Sequence, residues 1–223
     1  IHTISDDLYN KAIQFGLKKD IIFQKINPAI NSEFFNSTFI NSLNVPIRIL
    51  TVSRLEWKKG YEYVLHALYL LKKENIKFIY NIVGDGKDKE KIIYLINYYD
   101  LVEEVELNGK LSIEGVKKKM EWADIYIQPS IQEGFCNAVL EAQSMGLICI
   151  VTNAEGLSEN VIHKETGWVV NKRSSLAIKR RIIKILNTNP LEYEKIRRSA
   201  ISRIRNKFHL IDQKLDWKRF YLE

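Results

Sequence analysis

The chain's 223 residues supply enough length for one α/β domain with a substantial core, and too little for two full domains of ordinary size. With 46% hydrophobic and 27% charged residues the composition is that of a globular protein, and no run of about 18 apolar residues is present to span a bilayer. The formal charge of +7 and pI near 9.2 permit attraction to phosphates, an anionic membrane surface or nucleic acid without choosing among them.

The opening Ile1-His2-Thr3-Ile4-Ser5-Asp6-Asp7 lacks a basic stretch followed by an apolar one, so no secretory signal is expected; without an initiating Met, the chain is expected to be a piece of something longer. Residues 1–5 read as a strand, followed by a helix opening at the cap candidate Ser5 or Asp6, a strand over 21–27 and a loop from Pro28. The polar, Asn-rich stretch 31–46 reads as a connection, so residues 1–45 are expected to be the tail of a preceding domain plus a linker. From Ile47 onward, short β-branched or aromatic runs alternate with longer segments of helical periodicity. Strands are predicted over 47–53, 77–83, 104–108, 125–128, 148–152 and 167–170. Helices are predicted over 61–75, 87–99, 112–122, 137–145 and 158–163, with more after Ser174. That alternation predicts a Rossmann-like, doubly wound parallel sheet over 46–208, followed by a C-terminal helix over 209–223.

Cys136 and Cys149 sit beside apolar runs rather than in metal-type spacing, which predicts free thiols in a reducing cytoplasm. The clusters Lys117-Lys118-Lys119 and Lys179-Arg180-Arg181 fall in helical stretches and read as solvated faces.

Ligands of an open parallel sheet gather at the carboxyl ends of its strands, so the loops there carry the functional information. The first, Ser53-Arg54-Leu55-Glu56-Trp57-Lys58-Lys59-Gly60, places Arg54 and Lys59 ahead of a helix start, a combination able to neutralise a diphosphate. The same two residues could equally be solvated loop cations. Gly84-Asp85-Gly86 forms a tight turn where backbone could approach a ligand, and Gly109-Lys110-Leu111 has a similar position; neither is diagnostic alone. The most informative stretch is Glu133-Gly134-Phe135-Cys136-Asn137-Ala138-Val139-Leu140-Glu141. Two carboxylates separated by seven residues there flank the N-terminus of a helix, whose free N–H groups suit a phosphate. Each Glu could accept hydrogen bonds from hydroxyls to either side, and Glu141, set among Val139, Leu140 and Ala142, is poorly placed for a mere surface charge.

In this order the residues resemble the family-four retaining glycosyltransferases of GT-B fold, over about 47–170 and more loosely to both ends. Arg54 and Lys59 resemble that family's cation pair for the donor diphosphate, and Glu133 through Glu141 its E-x7-E motif. The resemblance implies the donor-binding C-terminal half of a GT-B enzyme, transferring a sugar from a nucleotide diphosphate sugar with retention and with no metal or other cofactor required. By it, Glu133 binds donor-sugar hydroxyls as a positioning carboxylate, Glu141 binds the ribose, and Gly134, Phe135, Cys136, Asn137 and Ala138 line the sugar and phosphates. Gly84 approaches the diphosphate, while Lys110 and Leu111 frame the base. It further implies that residues 1–35 end the acceptor domain, that the final helix with Trp217 and Phe220 packs back on it, and that the remainder of that domain is missing. His2, His66, His163 and His209 are not expected to replace the histidine that domain commonly supplies.

A second reading is a nucleotide-sugar-binding module inactive without its N-terminal domain. A third is a nucleic-acid-binding protein, which the acidic Glu133 and Glu141 disfavour; a fourth is a sugar-nucleotide epimerase, which the carboxylate spacing disfavours. No nucleic-acid partner is expected. The expected setting is cytoplasmic, peripheral to the inner face of a membrane through a lipid-linked acceptor, in surface polysaccharide or glycolipid synthesis.

Overall fold

The structure, a computed structural model, describes residues 1–18, 23–36 and 43–222. The chain begins with strand β1 (His2–Thr3), helix α1 (Asp6–Gln14) and strand β2 (Gln24–Lys25), the two strands pairing in parallel. There follow β3 (Ile47–Val52), a 3₁₀ turn (Trp57–Lys59), α2 (Tyr61–Lys73), β4 (Phe78–Val83), α3 (Lys89–Tyr98), β5 (Val105–Leu107), α4 (Ile113–Trp122) and β6 (Ile125–Gln128). Next come α5 (Asn137–Ser144), β7 (Ile148–Thr152), α6 (Leu157–Asn160), β8 (Trp168–Val170), α7 (Ser175–Leu186), α8 (Pro190–Lys207) and α9 (Leu210–Leu222).

β3 to β8 form one parallel sheet in the order β5-β4-β3-β6-β7-β8. Its strands are short runs of Ile, Val and aromatic residues buried on both faces, as a parallel sheet between helices requires. Period-two alternation sends neighbouring residues to opposite sides. Ile49, Ile125, Ile127, Ile148 and Ile150 join a cluster with Val64, Leu68 and Ile92 of α2 and α3 and Ile178 and Ile182 of α7. Leu50, Tyr126, Cys149 and Val151 join Met120 of α4, Val139 and Leu140 of α5 and Ile204 of α8.

The six predicted strands and the first four predicted helices of this sheet all form, with ends shifted by at most two residues. The strand read over 1–5 forms at His2–Thr3, and of the two cap candidates it is Ser5 that caps α1, its hydroxyl accepting from Leu8 N at 3.3 Å. Two expectations need correction. The helix read over 158–163 lies at Leu157–Asn160; the Asn160 side chain is taken up by the Cys136 backbone and Val161 is already extended. The stretch 31–46 is not merely a polar connection: Phe35 is buried in the second cluster and its carbonyl accepts from Ser144 Oγ at 2.6 Å, whereas residues 37–42 lie outside the described residues. Of the strand read over 21–27, residues 21 and 22 also lie outside them.

The C-terminal helix packs on the first strand. Trp217 lies 4.4 Å from the His2 ring, Phe220 lies 6.1 Å from it, and Gln213 Nε2 donates to Asn27 O at 2.9 Å. No helix among the described residues is long and apolar enough to cross a membrane.

Gly60 joins the 3₁₀ turn to α2 at φ +69°, and a Cβ there would lie 2.1 Å from the Pro129 carbonyl oxygen. Only glycine lets the loop after β3 close on the loop after β6. Gly60→Ala is therefore expected to destabilise the fold by about 2–5 kcal/mol, left-handed strain adding to a backbone clash. A urea midpoint equal to that of the unsubstituted chain would contradict this.

Candidate functional site

In the sheet, strand order reverses between β3 and β6, the position at the carboxyl ends of the strands where open parallel sheets bind their ligands. The loops after these strands are stitched to each other by backbone, with Ile131 N donating to Lys58 O at 2.7 Å. This brings Lys59 to Glu133, Nζ to Oε2 at 2.5 Å, with side chains only 9% and 12% exposed. The same Oε2 accepts from Ser130 Oγ at 3.2 Å. Behind it the chain of contacts continues inward, Gln128 Nε2 to Ser130 Oγ at 2.9 Å and Tyr126 OH to Gln128 Oε1 at 2.8 Å, while Thr152 Oγ1 donates to Ser130 O at 2.5 Å. The carboxylate is thus fixed by a cation and a buried polar row running up β6.

The backbone of Glu133 is fixed as well. Its N–H donates to Glu155 Oε2 at 3.1 Å, and its carbonyl accepts from Gly156 N at 2.9 Å. Further along, Cys136 caps α5 with no side-chain hydrogen bond, and the first turn of α5 carries no acidic residue. Asn160 holds Cys136 from both sides, accepting from its N–H and donating to its carbonyl, each at 3.1 Å. The positive end of α5 is therefore left without an acidic residue of its own first turn to neutralise it. Burial pushes the Cys136 thiol up to about 12, with the nearby Glu133 charge adding to the effect, so this thiol stays protonated and inert.

Glu141 lies one turn into α5 in a different environment. It is half-buried, no hydrogen bond or ion pair to its carboxylate is found among the described residues, and burial alone raises its carboxyl to about 7. Arg54 and Lys59, read together in the sequence, part company in space: Arg54 is 67% exposed and pairs with Glu56 at 3.2 Å, whereas Lys59 is buried against Glu133. Gly84, at φ +142°, is needed where a Cβ would lie 1.9 Å from Ser53 O, which brings the turn after β4 against the loop after β3. Lys110 is exposed and Leu111 packs at the edge of the second cluster; Gly134, Phe135 and Ala138 are half-buried and Asn137 is exposed.

The four histidines serve locally. His2 packs on Trp217, His66 stacks on Tyr99, His163 Nδ1 accepts from Val169 N, and His209 Nδ1 accepts from Ile211 N. A concavity lined by Trp57, Glu62, Asp88 and Lys91 lies on the flank of α2 and α3, but its space of about 10 Å³ suits a single water rather than a nucleotide. No group of His, Cys, Asp or Glu able to hold a metal occurs among the described residues.

Sequence reasoning missed Gln128, Ser130, Thr152, Glu155, Gly156 and Asn160. A signal existed for some of them: Gln128 and Thr152 are polar residues ending apolar strands, and Glu155-Gly156 follows β7 at the same carboxyl edge as the loops that were read.

The profile of the family described as Glycosyl transferases group 1 matches residues 35–206. The amylovoran biosynthesis glycosyltransferase AmsK of Erwinia amylovora is 32% identical over 164 residues, a match covering 70% of this chain and 40% of that protein. The capsular polysaccharide biosynthesis glycosyltransferase CapM of Staphylococcus aureus is 26% identical, the match covering 87% of this chain and 50% of that protein. Among solved structures, Anabaena Alr3699/HepE in complex with UDP superposes with a TM-score of 0.86 at 16% identity, covering 99% of this chain and 62% of that one. The matches thus span about half or less of these curated relatives' own length.

The raised carboxyl of Glu141 sets a pH dependence. Its folded-state value of about 7 lies above the ordinary 4.5, so folding favours the protonated form and stability falls as pH rises from about 4.5 to about 7. Glu141→Gln removes this loss. The variant is expected to gain about 2–3 kcal/mol on the wild type between pH 4.5 and pH 7.5, with no further change above. Parallel urea titrations at these pH values check it, and a constant difference across the range would contradict the buried, unpaired carboxyl.

Proposed function

The chain belongs to the family of Glycosyl transferases group 1, and from that premise we propose that it is the donor-binding half of a family-four retaining glycosyltransferase. The observation that carries this reading is the meeting, where strand order reverses, of a buried Lys59–Glu133 pair with a helix start whose first turn carries no acidic residue and a second carboxylate, Glu141. A nucleotide diphosphate sugar has complementary groups: two phosphates, a sugar rich in hydroxyls on one side and a ribose on the other.

In this reading the diphosphate lies at the start of α5, over the backbone of Gly134, Phe135, Cys136, Asn137 and Ala138 and near Gly84. Lys59 has three N–H donors, so it can keep its bond to Glu133 while another reaches a phosphate oxygen. Exposed Arg54, at the mouth of the same loop, adds a second cation. Together with the helix dipole they stabilise the negative charge that gathers on the diphosphate as the bond to the sugar breaks. Glu133, held at both its carboxylate and its backbone, orients the sugar by accepting from its hydroxyls. Glu141 accepts from the ribose, an acceptor role that ionisation favours, and Lys110 and Leu111 flank the base.

Residues 1–45 are assigned to the end of the acceptor domain and the linker, 46–208 to the donor domain, and 209–223 to the helix returning to the acceptor side. Packing of Trp217 on His2 supports that assignment. Transfer to an acceptor is assigned to the donor half working together with the acceptor domain; alone, the chain binds the donor with little or no turnover. A basic charge of +7 and the capsular polysaccharide role in the name of the Staphylococcus relative support a lipid-linked acceptor at the cytoplasmic face of a membrane. The name of the Anabaena structure, a complex with UDP, makes uracil the first base to try.

Calorimetric titration with UDP, GDP and ADP, each with magnesium and with EDTA, tests the half-site. One nucleotide should bind equally in both conditions, and Glu141→Ala and Lys59→Ala should each weaken it about tenfold or more, as expected for loss of a charged hydrogen-bonding partner. Binding that requires magnesium, or that survives both substitutions unchanged, would overturn the reading.

A further inference from the structure

Glu155 lies in the loop after β7, outside every motif read in the sequence, yet it touches the most constrained residue of the site. Its Oε2 accepts from the backbone N–H of Glu133 at 3.1 Å, while Oε1 lies 3.4 Å from Lys172 Nζ and 3.5 Å from Lys11 Nζ. The side chain is 17% exposed. Gly156, next in sequence, donates to Glu133 O at 2.9 Å, so residues 155 and 156 grip Glu133 by both of its backbone polar groups. Close packing enforces this grip: a Cβ on Gly156 would fall 1.7 Å from Gly134 O. The two lysines come from separate parts of the fold, Lys172 from the turn after β8 and Lys11 from α1, and α1 itself lies over the loop, with Leu8 Cδ1 3.4 Å from where a Gly134 Cβ would stand.

A carboxylate is a stronger acceptor for a backbone N–H than a neutral carbonyl, and two ammonium groups on its other oxygen hold it in that orientation. The loop 131–136 has no regular secondary structure to fix its backbone, so the direction of the Glu133 side chain depends on such contacts. We infer that Glu155 is a positioning residue for sugar recognition: by holding the Glu133 backbone it sets the Glu133 carboxylate where donor hydroxyls meet it, while leaving the nucleotide contacts untouched. This rests on the proposed contact of Glu133 with the donor sugar, and it adds a residue that acts only through Glu133.

The test separates the sugar from the nucleotide. Affinities for UDP-glucose, GDP-mannose and ADP-glucose, and for the matching nucleoside diphosphates, are measured on the full chain, on Glu155→Ala, on Glu155→Gln and on Glu133→Ala. Alongside, hydrogen exchange of the Glu133 amide is followed by NMR without ligand. Glu155→Ala should speed that exchange and lower affinity for the nucleotide sugar about fivefold, the loss of one hydrogen bond, with the nucleoside diphosphate unchanged. Glu155→Gln, whose amide oxygen can still accept from Glu133 N but which has lost both ion pairs, should fall between the unsubstituted chain and Glu155→Ala in each readout; a merely structural role would weaken the nucleoside diphosphates as well. If Glu133→Ala weakens the nucleotide sugar and Glu155→Ala does not, the positioning role is overturned and the functional reading stands. If Glu133→Ala has no effect on any nucleotide sugar, the reading of Glu133 fails and the role of Glu155 falls with it. Unchanged exchange of the Glu133 amide in Glu155→Ala overturns the inference whatever the ligand.

Discussion

Between β3 and β6 the winding of the chain changes direction, and the two loops that leave these strands close against each other. Lys59 and Glu133 meet there with almost no exposure to water. Two opposite charges in such a place strengthen each other, and removal of either one leaves the other poorly solvated at a cost of about 3–5 kcal/mol. That pairing requires the surrounding details: the missing Cβ at Gly60, the backbone bond from Ile131 to Lys58, and the polar row of Tyr126, Gln128 and Ser130 beneath the carboxylate. The electrostatics of the site follow from it, because the pair places a cation and an acceptor side by side beside the open end of α5.

The two glutamates that the sequence presents as a pair have opposite physical states. Glu133 is neutralised by Lys59, supported by Ser130 and gripped through its backbone. Glu141 has none of these supports, and burial alone sets its proton affinity. A carboxylate locked in place is suited to reading the direction of hydroxyls. One that is half-buried without a partner gains most from a donor that arrives with its own hydrogen bonds, since such a donor relieves the penalty of desolvation. In the proposed reading the two carboxylates, one in the loop before α5 and one within it, therefore have separate tasks.

Much of this was legible in the residues. Runs such as Ile148 to Thr152, bounded by Gly146 and Asn153, could be little else than buried strands, and their alternation with helical periods fixed a parallel sheet. Glu133 and Glu141 could have been ordinary charged residues, but Glu141, set among Val139, Leu140 and Ala142 at the start of a helix entering the core, is poorly placed for a surface charge. The partnership of Lys59 with Glu133 was not legible, for it depends on two loops 74 positions apart closing over Gly60. Asn160 and Glu155 escaped for the same reason: each acts on backbone atoms of a distant loop, and a side chain's bond to backbone leaves no pattern of residue types to be recognised. Local misreadings had local causes. Phe35, read as part of a polar connection, contributes an aromatic side chain to the core that its Asn-rich surroundings disguised, and the helix read over 158–163 is cut short where the Asn160 side chain turns to the Cys136 backbone.

Backbone amide NMR of the full chain, titrated with UDP-glucose, examines the central claim most directly, since it asks where a donor sits without presuming which residue matters. The account predicts shifts concentrated in the loops after β3, β6 and β7, over 53–60, 129–138 and 153–157, with further shifts at Gly84, Lys110, Leu111 and Glu141. Shifts confined to the outer faces of α3, α8 or α9, with those three loops unmoved, would show that the reversal of strand order is not the donor site.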